Sequence, residues 1–137
     1  MSAGYLVDKS AWARAANPQV HSVLELLIET RSLATCAITN LEVLYSARSS
    51  SDYGELSDEL AGLADVPIDS EHMARALEVQ RRLAAKGRHR LPIPDLIIAA
   101  TAESSGLSVL HYDADYERIA EVTHQSNQWV VPRGSVP

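Results

Sequence analysis

Five acidic residues of this 137-residue chain stand at predicted strand ends or in the first turns of predicted helices: Asp8, Glu42, Asp95, Asp113 and Asp115. In a parallel α/β sheet, the carboxyl ends of the strands and the helix starts that follow them share one rim. We therefore expect acids from distant parts of the chain to meet there. Clustered carboxylates repel one another, and a bound divalent cation relieves that repulsion. A ligand set made only of oxygen favours Mg²⁺ or Mn²⁺ over zinc.

Each acid also has a local structural explanation. The segment from Thr39 to Glu42 matches a capping box, in which the glutamate bonds back to the Thr39 backbone. Asp95 could simply favour the positive end of its helix, Asp113 could be an N-cap, and Asp8 could be an acid in a turn. Taken singly, these explanations are as good as a metal site, and the shared rim is what favours the site. Two hydroxyl residues could support it, Ser10 and Thr39.

Short apolar segments alternate with helical patterns along the chain. Strands are predicted at 5–7, 33–38, 107–112 and 129–131, with a further short strand possible at 66–68. Helices are predicted from Asn17-Pro18, after Thr39, and at 56–63, 70–87, 96–102 and 116–120. In the helix at 70–87, the predicted buried face is Met73, Leu77, Gln80, Leu83 and Ala84. This order predicts one α/β domain over residues 1–137, with a mostly parallel sheet.

The charge of the chain is uneven. Its formal net charge is −6, which by itself argues against nucleic-acid binding. Six cations nevertheless crowd into sixteen residues, and we call them the basic stripe: Arg75, Arg81, Arg82, Lys86, Arg88 and Arg90. The stripe is either a phosphate-binding edge or a solvated helix face, and the second is the commoner meaning of a charge run. No membrane span or secretory signal is visible, and the single cysteine suits a reducing cytoplasm.

Four motifs appear in order: Leu6-Val7-Asp8-Lys9-Ser10, Thr39-Asn40-Leu41-Glu42-Val43, Pro94-Asp95-Leu96-Ile97-Ile98-Ala99-Ala100 and His111-Tyr112-Asp113-Ala114-Asp115-Tyr116. Together they resemble the PIN-domain nucleases, specifically the VapC-type toxins of bacterial toxin–antitoxin pairs. The resemblance runs from residue 5 to about residue 133. No single motif is decisive, but four in order at fitting spacing are specific.

The resemblance implies a three-layer α/β/α domain and a Mg²⁺-dependent endoribonuclease, with Mn²⁺ as a possible substitute. It also implies structured cellular RNA as substrate, transfer RNA above all, inhibition by a cognate VapB-type antitoxin, and a homodimer within that complex. Asp8, Glu42, Asp95 and Asp113 match the family's acidic quartet, and Asp115 matches an additional acid that assists metal binding. Tyr116 stands where many relatives have Phe, and we expect it not to touch the chemistry.

From this resemblance we assign roles. Asp8, Asp95 and Asp113 are the principal metal ligands, Asp115 would complete a second site, and Glu42 would orient the attacking water or act as its base. The RNA backbone would be held by charge, through Arg81, Arg82, Lys86, Arg88 and Arg90. We expect His111 to pack or bond locally.

Three other functions compete with a nuclease. A phosphoacceptor domain would need an acid pair after the first strand and a late lysine, and the chain offers neither. A phosphatase of the D-x-D type could use Asp113 and Asp115, but that motif should follow the first strand. A non-catalytic PIN-fold binding module is the remaining alternative, and the complete quartet argues against it.

Overall fold

A five-stranded sheet forms the centre of the protein. The computed structural model describes residues 4–137. Its strands are β1 (Tyr5–Val7), β2 (Leu33–Thr35), β3 (Ala64–Asp65), β4 (Ser108–His111) and β5 (Asn127–Trp129). Their order is β3-β2-β1-β4-β5, and every neighbouring pair is parallel. The predicted mostly parallel sheet is therefore confirmed.

Seven helices connect and cover the strands in the described part of the chain: α1 (Lys9–Trp12), α2 (Pro18–Glu29), α3 (Ala37–Tyr45), α4 (Ser50–Ala61), α5 (Ser70–Ala84), α6 (Ile93–Ser104) and α7 (Asp115–Thr123). Among residues 4–137, no helix is both long and apolar enough to cross a bilayer.

The sheet has a packed core on each face. Successive side chains of a strand point to opposite faces, so Leu6 packs with α5, α6 and α7, whereas Val7 packs with α1 and α2. The same alternation separates Val109 from Leu110 in β4. Helices therefore lie on both faces, which confirms the predicted three-layer α/β/α architecture.

The prediction of a strand over 33–38 was too long. Strand β2 ends at Thr35, Cys36 is the N-cap of α3, and the helix begins at Ala37. The strand was extended to the β-branched residue Ile38, but tertiary contacts override that preference. Thr39 is fully buried in the helix, and its hydroxyl donates to the carbonyl of Val7 at 2.8 Å.

Helix α4 and strand β3 also differ from prediction. Helix α4 begins at Ser50 instead of residue 56, because Ser49 caps it by accepting from the Asp52 N–H at 3.0 Å. The serine run that suggested a break is thus a helix start. Strand β3 lies at Ala64–Asp65 instead of 66–68. At the far edge of the sheet, β5 ends at Trp129, before most of the predicted 129–131 segment.

The buried face of α5 is displaced from the predicted one. The buried face of this helix, which packs mainly against α6 and α7, consists of His72, Ala76, Val79 and Leu83. Met73 and Leu77, predicted to be buried, are 46% and 67% exposed. Both sets repeat at helical spacing, so hydrophobic periodicity alone did not separate them.

Candidate metal centre

The strand ends that carry Asp8 and Asp113 lie side by side. Strand β1 has β2 on one side and β4 on the other. The backbone N–H of Asp8 donates to the Leu110 carbonyl of β4 at 2.9 Å. Strands β2 and β3 lie on one side of β1, and β4 and β5 lie on the other, so the strand order reverses between β1 and β4. In open α/β sheets, ligands bind at the point where the strand order reverses.

The five predicted acids converge in two overlapping groups. One oxygen each of Asp8, Glu42 and Asp95 lie within 4.8 Å of one another, and the same holds for Asp95, Asp113 and Asp115. Asp95 belongs to both groups, so the five carboxylates form a single cluster. We call it the acidic cluster. Its donors are all oxygen atoms, the set that hard cations such as Mg²⁺ and Mn²⁺ prefer.

Hydrogen bonds hold both oxygens of the buried Asp8 carboxylate. Its Oδ2 accepts from the backbone N–H of Ser10 at 3.0 Å and from the Ser10 hydroxyl at 2.5 Å. Its Oδ1 accepts from the Tyr116 hydroxyl at 2.7 Å. The Ser10 oxygen in turn accepts from the Tyr112 N–H at 2.8 Å. Asp8 is thus both the N-cap of α1 and a member of the cluster, and Ser10 supports the site by orienting it.

Asp95 differs sharply, because its carboxylate is buried with few partners. Within the described chain, its Oδ2 has no hydrogen-bond partner, and its Oδ1 has only the Tyr116 hydroxyl at 3.4 Å. No backbone N–H of α6 donates to it, so stabilisation of the helix start does not explain its burial. Loss of solvent, followed by repulsion from Asp8, Asp113, Asp115 and Glu42, raises the pKa of Asp95 to about 8.

Glu42 reaches the acidic cluster from the second turn of α3, not from its first turn. With Cys36 as N-cap, the predicted capping box from Thr39 to Glu42 is wrong. One Glu42 oxygen lies 3.7 Å from the ammonium of Lys9, and the other is buried without a partner among the described residues. Burial, together with the charge of Asp8, raises the pKa of Glu42, although Lys9 opposes the shift. Thr39 supports the site by joining α3 to the end of β1.

Asp113 and Asp115 form the outer part of the cluster. Asp113 Oδ1 accepts from the Asp115 N–H at 2.9 Å. The Asp113 N–H donates to Nδ1 of buried His111 at 3.1 Å, and His111 Nε2 pairs with the Asn127 side chain at 2.8 Å. Because Nδ1 accepts, His111 is neutral with its proton on Nε2, and burial lowers its pKa. His111 therefore bonds locally, as predicted. Asp115 pairs with Arg118 at 2.6 Å.

Comparison with known proteins agrees with this geometry. The PIN-domain family profile matches residues 5–122. Ribonuclease VapC18 of Mycobacterium tuberculosis is 46% identical over 135 residues, covering 96% of this chain and 98% of that protein. Ribonuclease VapC21 of the same organism is 47% identical over 137 residues, covering 98% and 99%. This chain belongs to the VapC ribonuclease family of PIN-domain proteins. The predicted family is therefore confirmed.

Solved structures with the VapC-like fold align over nearly the whole chain. VapBC from Salmonella typhimurium, solved bound to DNA, gives a TM-score of 0.78 at 20% identity, covering 94% of this chain and 99% of that one. VapBC2 from Rickettsia felis, solved with a promoter DNA fragment, gives 0.76 at 20% identity, covering 91% and 98%. At this level of identity the likeness concerns the fold alone.

Four of the six cations in the basic stripe of this VapC-family chain pair with neighbouring acids. Glu78 pairs with both Arg81 and Arg82, and the bond to Arg81 contributes most to lowering the pKa of Glu78 to about 2. The remaining pairs are Arg75 with Glu103 and Arg88 with Glu121. No ion pair is found for Lys86 or Arg90 among residues 4–137.

Two cations of the stripe also lie away from the acidic cluster. The Arg82 guanidinium donates to the Val122 carbonyl, and Arg88 reaches Glu121, both at the carboxyl end of α7. The cluster lies at the other end of that helix, six or seven residues away, or about 10 Å at 1.5 Å per residue. The sequence grouped these cations correctly but did not show that acids offset them.

Tyr116 is the site residue that sequence reasoning missed. We expected it not to touch the chemistry, yet its hydroxyl contacts both Asp8 and Asp95. The side chain is 1% exposed and lies in the first turn of α7, on the same rim as the acids. One signal could have found it, since a buried tyrosine hydroxyl almost always has a polar partner. At this rim the nearest polar groups are the carboxylates.

Proposed function

We propose that this VapC-family chain is a Mg²⁺-dependent endoribonuclease, with Mn²⁺ as a substitute, and that it acts as the toxin of a toxin–antitoxin pair. The proposed substrate is structured cellular RNA, with transfer RNA as the first to test, in the cytoplasm. The observation that carries the proposal is a pair of buried carboxylate oxygens, Asp95 Oδ2 and Glu42 Oε1, that have no hydrogen-bond partner among the described residues. Buried acceptors without partners are rare in proteins. A cation held by Asp95 and a water held by Glu42 would satisfy them.

The acidic cluster fits a divalent cation in ligand type and arrangement. Asp8, Asp95 and Asp113 are proposed as the principal ligands, with Asp115 completing a second position. Because Asp95 belongs to both groups of three acids, it would help to hold a cation at either position. A bound divalent cation supplies Lewis acidity that activates water and offsets charge on the phosphate.

The protein's own groups divide the remaining work. Asp8 is already oriented by three donors and needs no rearrangement to bind a cation. Glu42 has one oxygen without a partner in residues 4–137, and its pKa is raised. It is therefore proposed to orient the attacking water and accept its proton. Asp115 must share its carboxylate with Arg118. When a cation binds Asp115, Arg118 is proposed to release that carboxylate and to bind a phosphate of the substrate instead.

Phosphate binding along the basic stripe is proposed in a revised form. Lys86 and Arg90 have no ion pairs in the described chain, so they are the strongest candidates to hold the RNA backbone. Arg81, Arg82 and Arg88 stay in the proposed surface, but each must first be released from its glutamate or share it with the RNA.

A groove beside the acidic cluster is the proposed site for a VapB-type antitoxin. It lies between α1, α3 and α4 and has a volume of about 880 Å³. Apolar side chains of Trp12, Tyr45 and Leu56 line it, and Glu42 and Lys9 of the cluster rim lie in its wall. A partner segment could pack apolar residues here and extend a cation toward the carboxylates. The homodimer remains a prediction, for which Leu77 and Ile93, 67% and 65% exposed, supply apolar surface.

The decisive experiment compares the wild type with Asp95→Asn on purified transfer RNA. The wild type should cut RNA with Mg²⁺ or Mn²⁺ and lose activity with a chelator. Asp95→Asn is the sharper variant because Asp95 accepts few hydrogen bonds, so the fold should survive its loss of charge. Equal cutting by both proteins would reject the metal site. No cutting by a wild type that binds Mg²⁺ would favour the non-catalytic binding module.

A further inference from the structure

The Tyr116 hydroxyl is the one polar group that contacts two carboxylates of the acidic cluster among the described residues. It lies 2.7 Å from Asp8 Oδ1 and 3.4 Å from Asp95 Oδ1, and the side chain is almost fully buried. Its ring packs against His111, with ring centroids 5.0 Å apart. Phenylalanine would fill the same space, so packing explains the ring but not the hydroxyl.

The geometry at Asp8 indicates what the hydroxyl does. Ser10 holds Oδ2 through two donors, and Tyr116 alone within residues 4–137 holds Oδ1. Holding both oxygens fixes the rotation of the carboxylate about its Cβ–Cγ bond. The remaining lone pairs of Asp8 then keep a constant direction relative to the carboxylates of Asp95 and Glu42, which belong to the same group of acids.

We propose that Tyr116 is a positioning residue for the divalent cation, which orients the Asp8 carboxylate through its hydroxyl and so raises the affinity of the site. This inference rests on the proposed metal-dependent function. Removing a hydrogen-bond partner of a metal-ligating side chain typically lowers metal affinity or activity by about 10–100-fold. Unlike Ser10, whose backbone N–H would remain after substitution, Tyr116 contributes through a single removable atom.

The test is Tyr116→Phe, which removes that one oxygen. Mn²⁺ affinity is measured by titration calorimetry on the full chain, and the expected result is a weakening of about 10-fold or more. Tyr112→Phe is the matched control, because its hydroxyl bonds to the Val136 carbonyl at 2.8 Å instead of a carboxylate. Its Mn²⁺ affinity should stay within about twofold of the wild type.

The outcomes separate positioning from simple stabilisation. If the hydroxyl only stabilises the fold, Tyr116→Phe melts at a lower temperature but binds Mn²⁺ as the wild type does, which overturns the proposal. Tighter binding also overturns it, because the hydroxyl would then compete with the cation for Asp8. If the wild type itself binds no Mn²⁺, the proposed function fails before Tyr116 is tested.

A second measurement retains the hydroxyl and so does not depend on the variant folding. The chain is prepared with 3-fluorotyrosine at position 116 and titrated with Mg²⁺ while its fluorine resonance is followed. If Tyr116 orients a ligand, the resonance should shift along the same binding curve that calorimetry gives. A resonance that does not move while Mg²⁺ binds overturns the proposal.

Discussion

At the residue scale, the acids of the cluster are held in unequal ways. Asp8 accepts three hydrogen bonds from Ser10 and Tyr116. In the part of the chain that the structure describes, Asp95 has one long contact, and its other oxygen has no partner. Both are buried, yet only Asp8 has its charge offset by protein donors. Substitutions that remove one carboxylate oxygen should therefore affect stability in opposite directions.

The first prediction compares Asp8→Asn with Asp95→Asn in metal-free protein. Asp8→Asn turns an amide N–H₂ toward existing donors and should lower the unfolding free energy by about 1–3 kcal/mol. Asp95→Asn removes the cost of ionising a buried acid. It should raise the unfolding free energy by roughly 1–3 kcal/mol near pH 8. Denaturant melts of both variants and the wild type provide the measurement. Equal destabilisation by both would mean that Asp95 has a stabilising partner.

The second prediction concerns pH. The ordinary pKa of Asp95 is 3.8, and in the folded protein it is about 8. Between those values the folded state holds a proton that the unfolded chain has released, so the unfolding free energy falls as pH rises. The slope from this group is at most about 1.4 kcal/mol per pH unit. Metal-free wild type should therefore lose stability relative to Asp95→Asn between pH 5 and pH 8.

Mg²⁺ should reverse this trend, because it replaces the proton on Asp95. Its stabilising effect on the wild type should be larger at pH 8 than at pH 6, and much smaller at either pH for Asp95→Asn. Thermal melts with and without Mg²⁺ at fixed ionic strength test this. A wild-type response to Mg²⁺ that is the same at both pH values would mean that Asp95 is not a ligand.

At the scale of the elements, α5 carries charges that its neighbours offset. Glu78 lies one turn before Arg81 and Arg82 on the same helix, and Arg88 reaches across to α7. Exposed pairs of this kind contribute little stability, but they reduce the positive charge that can attract a phosphate. The individual cations of the basic stripe should therefore contribute unequally to phosphate binding.

The third prediction tests that unevenness by the salt dependence of RNA binding. Replacing Lys86 and Arg90 with Ala should make the log–log slope shallower by about 0.7 for each RNA phosphate that is no longer neutralised. Replacing Arg81 and Arg82 with Ala, an equal change in formal charge, should reduce the slope less because Glu78 already offsets one of them. If the stripe is only a solvated helix face, neither pair of substitutions should alter the slope.

At the scale of the whole molecule, the groove and the acidic cluster adjoin. Glu42 belongs to both, because α3 presents it toward Asp8 while the same helix forms one wall of the groove. A partner that fills the groove can therefore reach the carboxylates without any change in the fold. Inhibition and metal binding should then be coupled through this one surface.

The fourth prediction uses two exposed tyrosines on neighbouring helices. Tyr45 is 93% exposed and lines the groove, whereas Tyr53 is 49% exposed and does not line it. Tyr45→Ala should weaken binding of a VapB-type antitoxin about tenfold, as expected for an aromatic contact within an interface. Tyr53→Ala is the control and should bind as the wild type does. Identical affinities for both variants would move the partner to another face.

The sequence by itself determined the fold class, the family and the identity of the clustered acids. Alternating strands and helices imply a parallel sheet, and the carboxyl ends of parallel strands share one rim. Asp8, Asp95 and Asp113 could therefore be assigned to the same rim of the sheet from the sequence alone. Glu42 also lies in the acidic cluster, as expected, although the first helical turn predicted for it was wrong because α3 begins at Ala37.

Only the tertiary structure decided how those acids are held and which cations remain unpaired within residues 4–137. In α3, Thr39 bonds to Val7, which lies 32 residues away in the chain. The role of Tyr116 depends on a contact with Asp8 across 108 residues, and the pairing of Arg88 with Glu121 spans 33. Local patterns carry no information about such partners, because helical spacing fixes the face of a side chain but not what packs against it.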